Sequence, residues 1–172
     1  MGDPAAAPKE PRQPRAAADE TSVAFDAVDR QILELLQSDG RIKLSELGRR
    51  VRLSPAAVAE RVRRLESTGA VTGYGAHVSP PLLGYGIQAF VRVDPHGGYT
   101  LRHPRTLELI SRPEIIEVHH VVGEDCWILK VAVADTLHLE DVLEQTSALG
   151  RTTTSIVLSS PVPRKPLLPP LR

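Results

Sequence analysis

Apolar residues recur at helical spacing in three successive segments near the start of the chain. The first segment begins at Asp26 or Asp29 and ends at Gly40, where glycine interrupts the pattern. Its apolar stripe, with spacings of three and four residues, consists of Val28, Ile32, Leu35 and Leu36. A single stripe among polar residues predicts an amphipathic helix that packs against neighbouring helices.

Two further helices are predicted directly after the first. The second covers residues 43–51 and ends at a tight turn over residues 52–53, with inward-facing positions at Leu44, Leu47 and Val51. The third begins at Ser54 and Pro55, because a hydroxyl accepts a bond from a free helical N–H and proline suits the first helical position. It is expected to end near Gly69 and to bury Val58, Val62 and Leu65.

Beyond a connector at residues 79–86, the hydrophobic period changes from helical to alternating. Strands are predicted over 87–93, 115–122, 127–134 and 152–158, with helices over 101–111 and 137–149. The order βαββαβ predicts an α+β, ferredoxin-like sandwich with two helices on one face of a four-stranded antiparallel sheet. Since a contiguous apolar surface of more than about a few hundred Å² is unusual on a monomer, the bare face predicts a homodimer, which can assemble further into a tetramer or octamer.

The pattern divides the 172-residue chain into five parts. These are a tail (1–22), a helical head (23–78), the connector (79–86), a sheet domain (87–160) and a proline-rich tail (161–172). The first tail is predicted to be disordered, and for the second a simple disordered end is favoured over a strap across a neighbouring subunit. No apolar run suggests secretion or a membrane span, so we expect a cytoplasmic protein without membrane contact.

Charge is distributed unevenly although the whole chain has a net charge of zero. Residues 41–64 contain eight Lys or Arg and two Glu, a net charge of +6, whereas residues 87–160 have a net charge of −4. A local basic patch favours phosphate binding, because counterion release depends on the patch and not on the total. The helical head is therefore predicted to bind double-stranded DNA, with a solvated charged face or a protein-docking module as the alternatives.

The head resembles the N-terminal domain of the leucine-responsive/asparagine-synthesis (Lrp/AsnC) family of transcription regulators. The matching positions are Asp26, Asp29, Ile32, Leu33, Leu36, Gly40 and Arg41, then 53–55 with 61–66, and finally Gly69, Gly73 and Tyr74. The resemblance implies a winged helix-turn-helix whose last stretch, residues 69–74, is the wing. It implies DNA contacts from Ser54, Pro55, Ala57, Arg61 and Arg64, to which the basic patch adds Arg41 and Lys43.

The sheet domain resembles the family's effector-binding and oligomerising domain, often called the RAM domain. Residues 122–131 are similar to the family's glycine turn, and the closing strand 152–158 is similar too. The resemblance implies a small amino-acid-like effector bound by Gly123, Glu124, Asp125, Cys126, Trp127, Thr153 and Ser155. Cys126 stands where the family usually has an acidic residue, with Asp125 one position earlier, so recognition of the ligand's ammonium is expected to be weakened or redirected.

Other chemistry receives little support from the sequence. His119 and His120 are adjacent on a strand and point to opposite faces, so they are not expected to bind one metal ion, and Cys126 is the only cysteine. No catalytic triad, phosphate loop or paired-cysteine motif indicates an enzyme or a cofactor. The sequence thus predicts an effector-modulated DNA-binding regulator of transcription. The alternatives are an effector-independent architectural DNA-binding protein and a small-molecule-binding accessory subunit that does not bind DNA.

Overall fold

A computed structural model of the chain describes residues 24–97, 99–123 and 126–170. Within these, the chain forms two compact units, one comprising residues 24–74 and 166–170 and the other lying between 75 and 165. The tail predicted over residues 1–22 lies outside the described residues. No helix in the described part is long and apolar enough to cross a membrane.

The first unit contains the three predicted helices, α1 (Ala27–Ser38), α2 (Leu44–Val51) and α3 (Pro55–Ser67). They enclose a core of Ile32, Leu33, Leu47, Val51, Val58, Val62 and Leu65. The predicted inward positions are confirmed for α3 and for the last two of α2. The prediction for Leu44 was wrong: its side chain is 43% exposed, because it occupies the first position of α2, where the helix extends past the core.

Local capping explains where these helices begin and end. Asp26 and Asp29 form a reciprocal capping box at the start of α1, in which each carboxylate accepts a hydrogen bond from the other residue's backbone N–H. Arg52 ends α2 in the left-handed conformation, with φ of 57°. Ser54 then caps α3, and Pro55 follows at its first position. The tight turn between α2 and α3 is therefore the one that a helix-turn-helix requires.

The stretch predicted to be the wing is a loop. Residues 69–74 form no strand, and the backbone N–H of Val71 donates instead to the carbonyl of Leu65 at 2.9 Å. Tyr74 folds back toward α3, where its hydroxyl donates to a carboxylate oxygen of Glu66 at 2.9 Å. This bond and burial together raise the pKa of Tyr74 to about 12, with burial the larger cause. One backbone and one side-chain hydrogen bond to α3 therefore take the place of a hairpin.

The second unit has the predicted βαββαβ order and confirms the ferredoxin-like sandwich. Its elements are β1 (Ile87–Pro95), α4 (Pro104–Ile110), β2 (Ile115–His120), β3 (Trp127–Val133), α5 (Thr136–Ser147) and β4 (Gly150–Ile156). All strand pairs are antiparallel, in the sheet order β2-β3-β1-β4. The buried core of this unit includes Val91, Val93, Trp127, Leu129, Val131, Leu139 and Val142.

The sheet face opposite this core is mixed rather than apolar. Strand alternation places Phe90 and Ile128 on it, but their neighbours on the same face are Gln88, Arg92, Glu117, Lys130, Thr153 and Ser155. Lys130 and Glu117 form an ion pair at 2.8 Å across β3 and β2. The expected contiguous apolar surface is therefore absent from these rows of the sheet, because charged and polar residues interrupt it.

The proline-rich end of the chain lies against the first unit and not free of it. The side-chain amide of Gln37 makes two hydrogen bonds of 2.9 Å with the backbone of Leu167, one through its nitrogen and one through its oxygen. Leu168 packs beside the core of the three helices. This differs from the favoured expectation of a simple disordered end, since the paired amide bonds hold the segment along α1.

Candidate functional site

The start of α3 presents a small, exposed surface. Ser54, Pro55 and Ala56 are exposed, and Ala57 is half-buried. The Ser54 hydroxyl oxygen accepts from the backbone N–H of Ala57 at 3.2 Å, so its own proton is free to be donated to a ligand. Because these side chains are short, a double helix can approach the backbone closely at this end of α3.

The head also carries exposed cations. The side chains of Arg41, Lys43 and Arg52 are exposed, and within the described residues none of them forms an ion pair. Guanidinium and ammonium groups in this state are available to phosphate without breaking an internal bond. The structure therefore leaves the predicted contacts Arg41 and Lys43 accessible.

Two further arginines share one carboxylate on α2. Arg49 and Arg50 both donate to Glu46, with nitrogen-oxygen distances of 2.7–2.9 Å. Hydrogen bonds from Arg49 and Arg50 lower the pKa of Glu46 to about 2. The group as a whole carries a net charge of +1, which is less than its two arginines suggest.

Arg61 and Arg64 point toward α1, where the buried carboxylate of Asp29 accepts from both. The Arg61 Nη1 lies 2.8 Å from Oδ1 of Asp29 and 2.7 Å from Oδ2 of Asp26, and Arg64 Nη2 binds the Oδ2 of Asp29. Hydrogen bonds to Asp26 and Asp29 raise the pKa of Arg61. Direct DNA contact by Arg61 and Arg64 stays a prediction, but both are engaged inside the protein.

Sequence reasoning did not nominate four exposed arginines as DNA contacts. These are Arg49, Arg50, Arg52 and Arg63, the last of which forms an ion pair with Glu60 at 2.6 Å. Helical spacing carries a usable signal for one of them: Arg63 lies seven residues beyond the exposed Ala56 and on the same face, whereas Arg61 and Arg64 lie on another. Counting charge without assigning faces obscured this difference.

The turn that connects β2 to β3 holds part of the predicted effector site. Gly123 has a φ of 155°, and the backbone N–H of Cys126 donates to the carbonyl of Val93 at 3.1 Å. The carbonyl of Cys126 accepts from Val121 at 2.9 Å, which closes the turn. Glu124 and Asp125 lie outside the described residues. The structure thus brings Gly123 and Cys126 together at one end of the sheet.

The remaining predicted effector residues lie on different faces of the sheet. Trp127 is 3% exposed and packs in the core beneath the helices, where it anchors the turn. Thr153 and Ser155 are exposed on the opposite face of β4, in register with Arg92 and Phe90 of β1. Because β1 separates β4 from β3, Thr153 lies about 10 Å from the β3 backbone. A ligand that contacts all of them therefore needs surface beyond a single turn.

The histidine pair shows no arrangement suited to a metal. His119 Nε2 lies 3.3 Å from a carboxylate oxygen of Glu117, on the mixed face of the sheet. In the part of the chain that the structure describes, no three His, Cys, Asp or Glu side chains come together as a metal site.

Family models match both units. The AsnC-type helix-turn-helix domain matches residues 25–66, and the Lrp/AsnC ligand-binding domain matches residues 88–167. Together they cover most of the described chain, in the order in which the two units occur.

Individual relatives agree with these matches. The HTH-type transcriptional regulator LrpA of Mycobacterium tuberculosis is 41% identical over 140 residues, which are 80% of this chain and 92% of the relative. A transcriptional regulator of Neisseria meningitidis in complex with L-methionine has 28% identity and a TM-score of 0.77, covering 84% of this chain and 96% of that one. The feast or famine regulatory protein of M. tuberculosis complexed with L-methionine has 38% identity and a TM-score of 0.74, with coverages of 85% and 100%.

Proposed function

This chain belongs to the Lrp/AsnC family of transcriptional regulators, and from that premise we propose that it binds double-stranded DNA through its helix-turn-helix and responds to a small amino acid or related metabolite through its sheet unit. The observation that carries the DNA part is the exposed first turn of α3, capped by Ser54, in a head that carries accessible cations. That surface matches the requirement of major-groove entry, in which small or hydrogen-bonding residues lead and cations meet the phosphates.

The DNA-contacting residues follow from exposure. We propose that Ser54, Pro55 and Ala57 approach the base edges and that Arg41 and Lys43 bind phosphates, together with the exposed Arg49, Arg50, Arg52 and Arg63. We propose that the acidic second unit makes no contact with DNA, since residues 87–160 have a net charge of −4.

Salt dependence tests the assignment. The affinity of the full chain for DNA from its own upstream region is measured by fluorescence anisotropy at several salt concentrations. Each lost phosphate contact lowers the slope of log K against log salt by about 0.9, so we expect Arg41→Ala and Lys43→Ala each to do so. Arg102→Ala, an exposed arginine of the second unit, is the charge-matched control and leaves the slope unchanged. Equal slopes for all three variants contradict the proposed surface.

For the effector, we propose an amino acid bound near the β2–β3 turn, as two relatives were solved with L-methionine. The exposed Gly123 supports recognition of a ligand at this turn, while the acid that meets an ammonium in the family is replaced by Cys126 in this chain. Calorimetric titration with L-methionine, L-leucine and then a pool of amino acids tests this. Binding that is lost in Gly123→Val and retained in Leu107→Ser supports the site. DNA binding indifferent to every amino acid favours an architectural protein instead.

We also propose that the mixed sheet face forms the homodimer. Phe90 and Ile128 supply its apolar centre, and the surrounding polar groups can pair across a two-fold axis. The Phe90→Arg variant places a second cation on this face, opposite Lys130, with which residue 90 is in register. We expect this variant to dissociate the dimer, which sedimentation measures. Leu107→Arg, at an exposed apolar position of α4, is the control and remains dimeric. A dimeric Phe90→Arg variant would place the interface elsewhere.

The assembly then couples the two sites. A ligand shifts DNA binding only if it binds one arrangement of dimers better than another, so its effect is limited by that difference in affinity. We propose that the chain has no catalytic role and that it is cytoplasmic, because it binds DNA.

A further inference from the structure

A buried carboxylate joins the first and third helices of the head. Asp29 is fully buried, and both of its oxygens are occupied by α3: Oδ1 by Arg61 at 2.8 Å, and Oδ2 by Arg64. The second oxygen also accepts from the backbone N–H of Asp26 at 3.1 Å. Asp26 in turn binds Arg61 at 2.7 Å. We call these four side chains the α1–α3 clamp.

The clamp fixes α3 in rotation. Arg61 and Arg64 are three residues apart, so their Cα atoms are separated by about 4.5 Å along the helix and both project from one face. Two guanidinium groups on the two oxygens of one carboxylate define a direction as well as a distance. A rotation of α3 about its axis would break at least one of these bonds, and the start of α3 would turn with it.

The clamp is also costly to open. A buried carboxylate is tolerated only while it is paired, and removal of one partner leaves an uncompensated charge. If Arg64 moved to a phosphate, the Oδ2 of Asp29 would keep only the backbone N–H of Asp26 as a donor. The four charges of the clamp sum to zero, so Arg61 and Arg64 contribute little net field to the surface around them.

We propose that Asp29 is a positioning residue for α3, the recognition helix. Arg61 and Arg64 then support DNA binding by holding α3 in its rotation and not by binding phosphates. This rests on the proposed DNA-binding function of the head. Since two of the eight cations between residues 41 and 64 are neutralised by Asp26 and Asp29, which lie outside that segment, the charge available to phosphate is +4 rather than +6.

The effect of Asp29→Asn on DNA affinity has opposite signs under the two roles. If the arginines are held for positioning, the neutral amide, with one acceptor, releases them and α3 loses its fixed rotation, so affinity falls by about tenfold with an unchanged salt slope. If the arginines are phosphate ligands, their release raises affinity and steepens the slope. Both quantities are measured on the full chain at a temperature at which circular dichroism shows every variant to be folded.

A second pair of variants covers the case in which Asp29→Asn does not fold. Arg64, with 46% of its side chain exposed, is replaced by Ala and by Lys. If Arg64 is held for positioning, Arg64→Ala should lose DNA affinity while the slope of log K against log salt is unchanged. Affinity should recover in Arg64→Lys, because its ammonium can still pair with Asp29. A slope lower by about 0.9 in Arg64→Ala overturns the proposal and returns this residue to the phosphate contacts.

The control separates positioning from general stability. Leu33→Ala removes a buried side chain of α1 that takes no part in the clamp, and it lowers thermal stability without freeing α3 to rotate. We expect it to bind DNA normally below its melting temperature. If Leu33→Ala and Asp29→Asn lose the same affinity at equal stability, the role of Asp29 is merely structural. If the wild-type chain shows no salt-dependent DNA binding, the proposed function fails and the clamp proposal with it.

Discussion

Gly48 and Leu53 meet across the helix-turn-helix turn at a distance that only glycine permits. The backbone N–H of Leu53 donates to the carbonyl of Gly48 at 2.9 Å, and a Cβ built at residue 48 would lie 2.6 Å from the carbonyl oxygen of Leu53. In Gly48→Ala, better helix propensity stabilises by about 1 kcal/mol, but the clash is with backbone and cannot be relieved by a rotamer change. A clash with backbone lies at the upper end of the cost of overpacking, about 1–3 kcal/mol, so we expect a net loss of about 1–2 kcal/mol in the free energy of unfolding, measured with urea.

Gly75 offers the matched control for this substitution. A Cβ there has no atom within 4 Å, and its backbone is not left-handed. Gly75→Ala is expected to change stability by less than about 0.5 kcal/mol. Equal stability of the Gly48→Ala protein and the wild type would show that the turn can open without cost.

The Glu46 carboxylate is expected to restrain DNA binding. Because it holds both Arg49 and Arg50, the Glu46→Gln variant frees two guanidinium groups and raises the charge of the surface by one. Affinity for DNA should rise at low salt, and the salt slope should steepen. Glu108→Gln, which removes an exposed carboxylate of α4 in the second unit, is the charge-matched control and leaves DNA affinity unchanged. Weaker binding of Glu46→Gln would mean that Glu46 holds the arginines in place for DNA.

Periodicity was sufficient for the positions that depend on one element alone. The buried stripe of α3 and the alternation of β3 follow from spacing, and Ser54 and Pro55 set the start of α3 by local chemistry. The order of elements then determined the sheet topology, because βαββαβ units close in few ways.

The roles of Arg61 and Arg64 were not accessible in the same way. Spacing shows that both lie on one face of α3, but their partner is Asp29, more than thirty residues earlier, and its burial is a property of tertiary packing. From the sequence, Asp29 was only a possible first residue of the first helix. The polar sheet face, in contrast, was accessible from alternation, since Gln88 and Arg92 share it with Phe90, and Lys130 shares it with Ile128; the expectation of a bare apolar face did not take these positions into account.

Glu114 makes the second unit sensitive to acid. Its carboxylate, 12% exposed, is bound by Arg112 and by Nε2 of His138, and hydrogen bonding to Arg112 is the main cause that lowers its pKa from 4.5 to about 2. Because the pKa of Glu114 is lower in the folded than in the unfolded state, its ionisation stabilises the folded state above pH 4.5. This contribution is lost as the pH falls from 4.5 toward 2. We expect the free energy of unfolding of the wild type to exceed that of Glu114→Gln by roughly 2–4 kcal/mol at pH 7. In urea titrations this difference should shrink below pH 4. A difference that is constant with pH would contradict this ionic role.

The C-terminal segment is expected to stabilise the helical head through one leucine and not its neighbour. Leu168 packs beside the head's core, whereas the side chain of Leu167 is 84% exposed and only its backbone binds Gln37. Partial burial of one leucine contributes about 1 kcal/mol, so Leu168→Ser should lower the melting temperature of the head by a few degrees. Leu167→Ser retains both backbone bonds and should melt like wild type. These residues follow directly on the sheet unit. If only Leu168→Ser lowers the melting temperature, the segment after the sheet unit stabilises the three helices of the DNA-binding head.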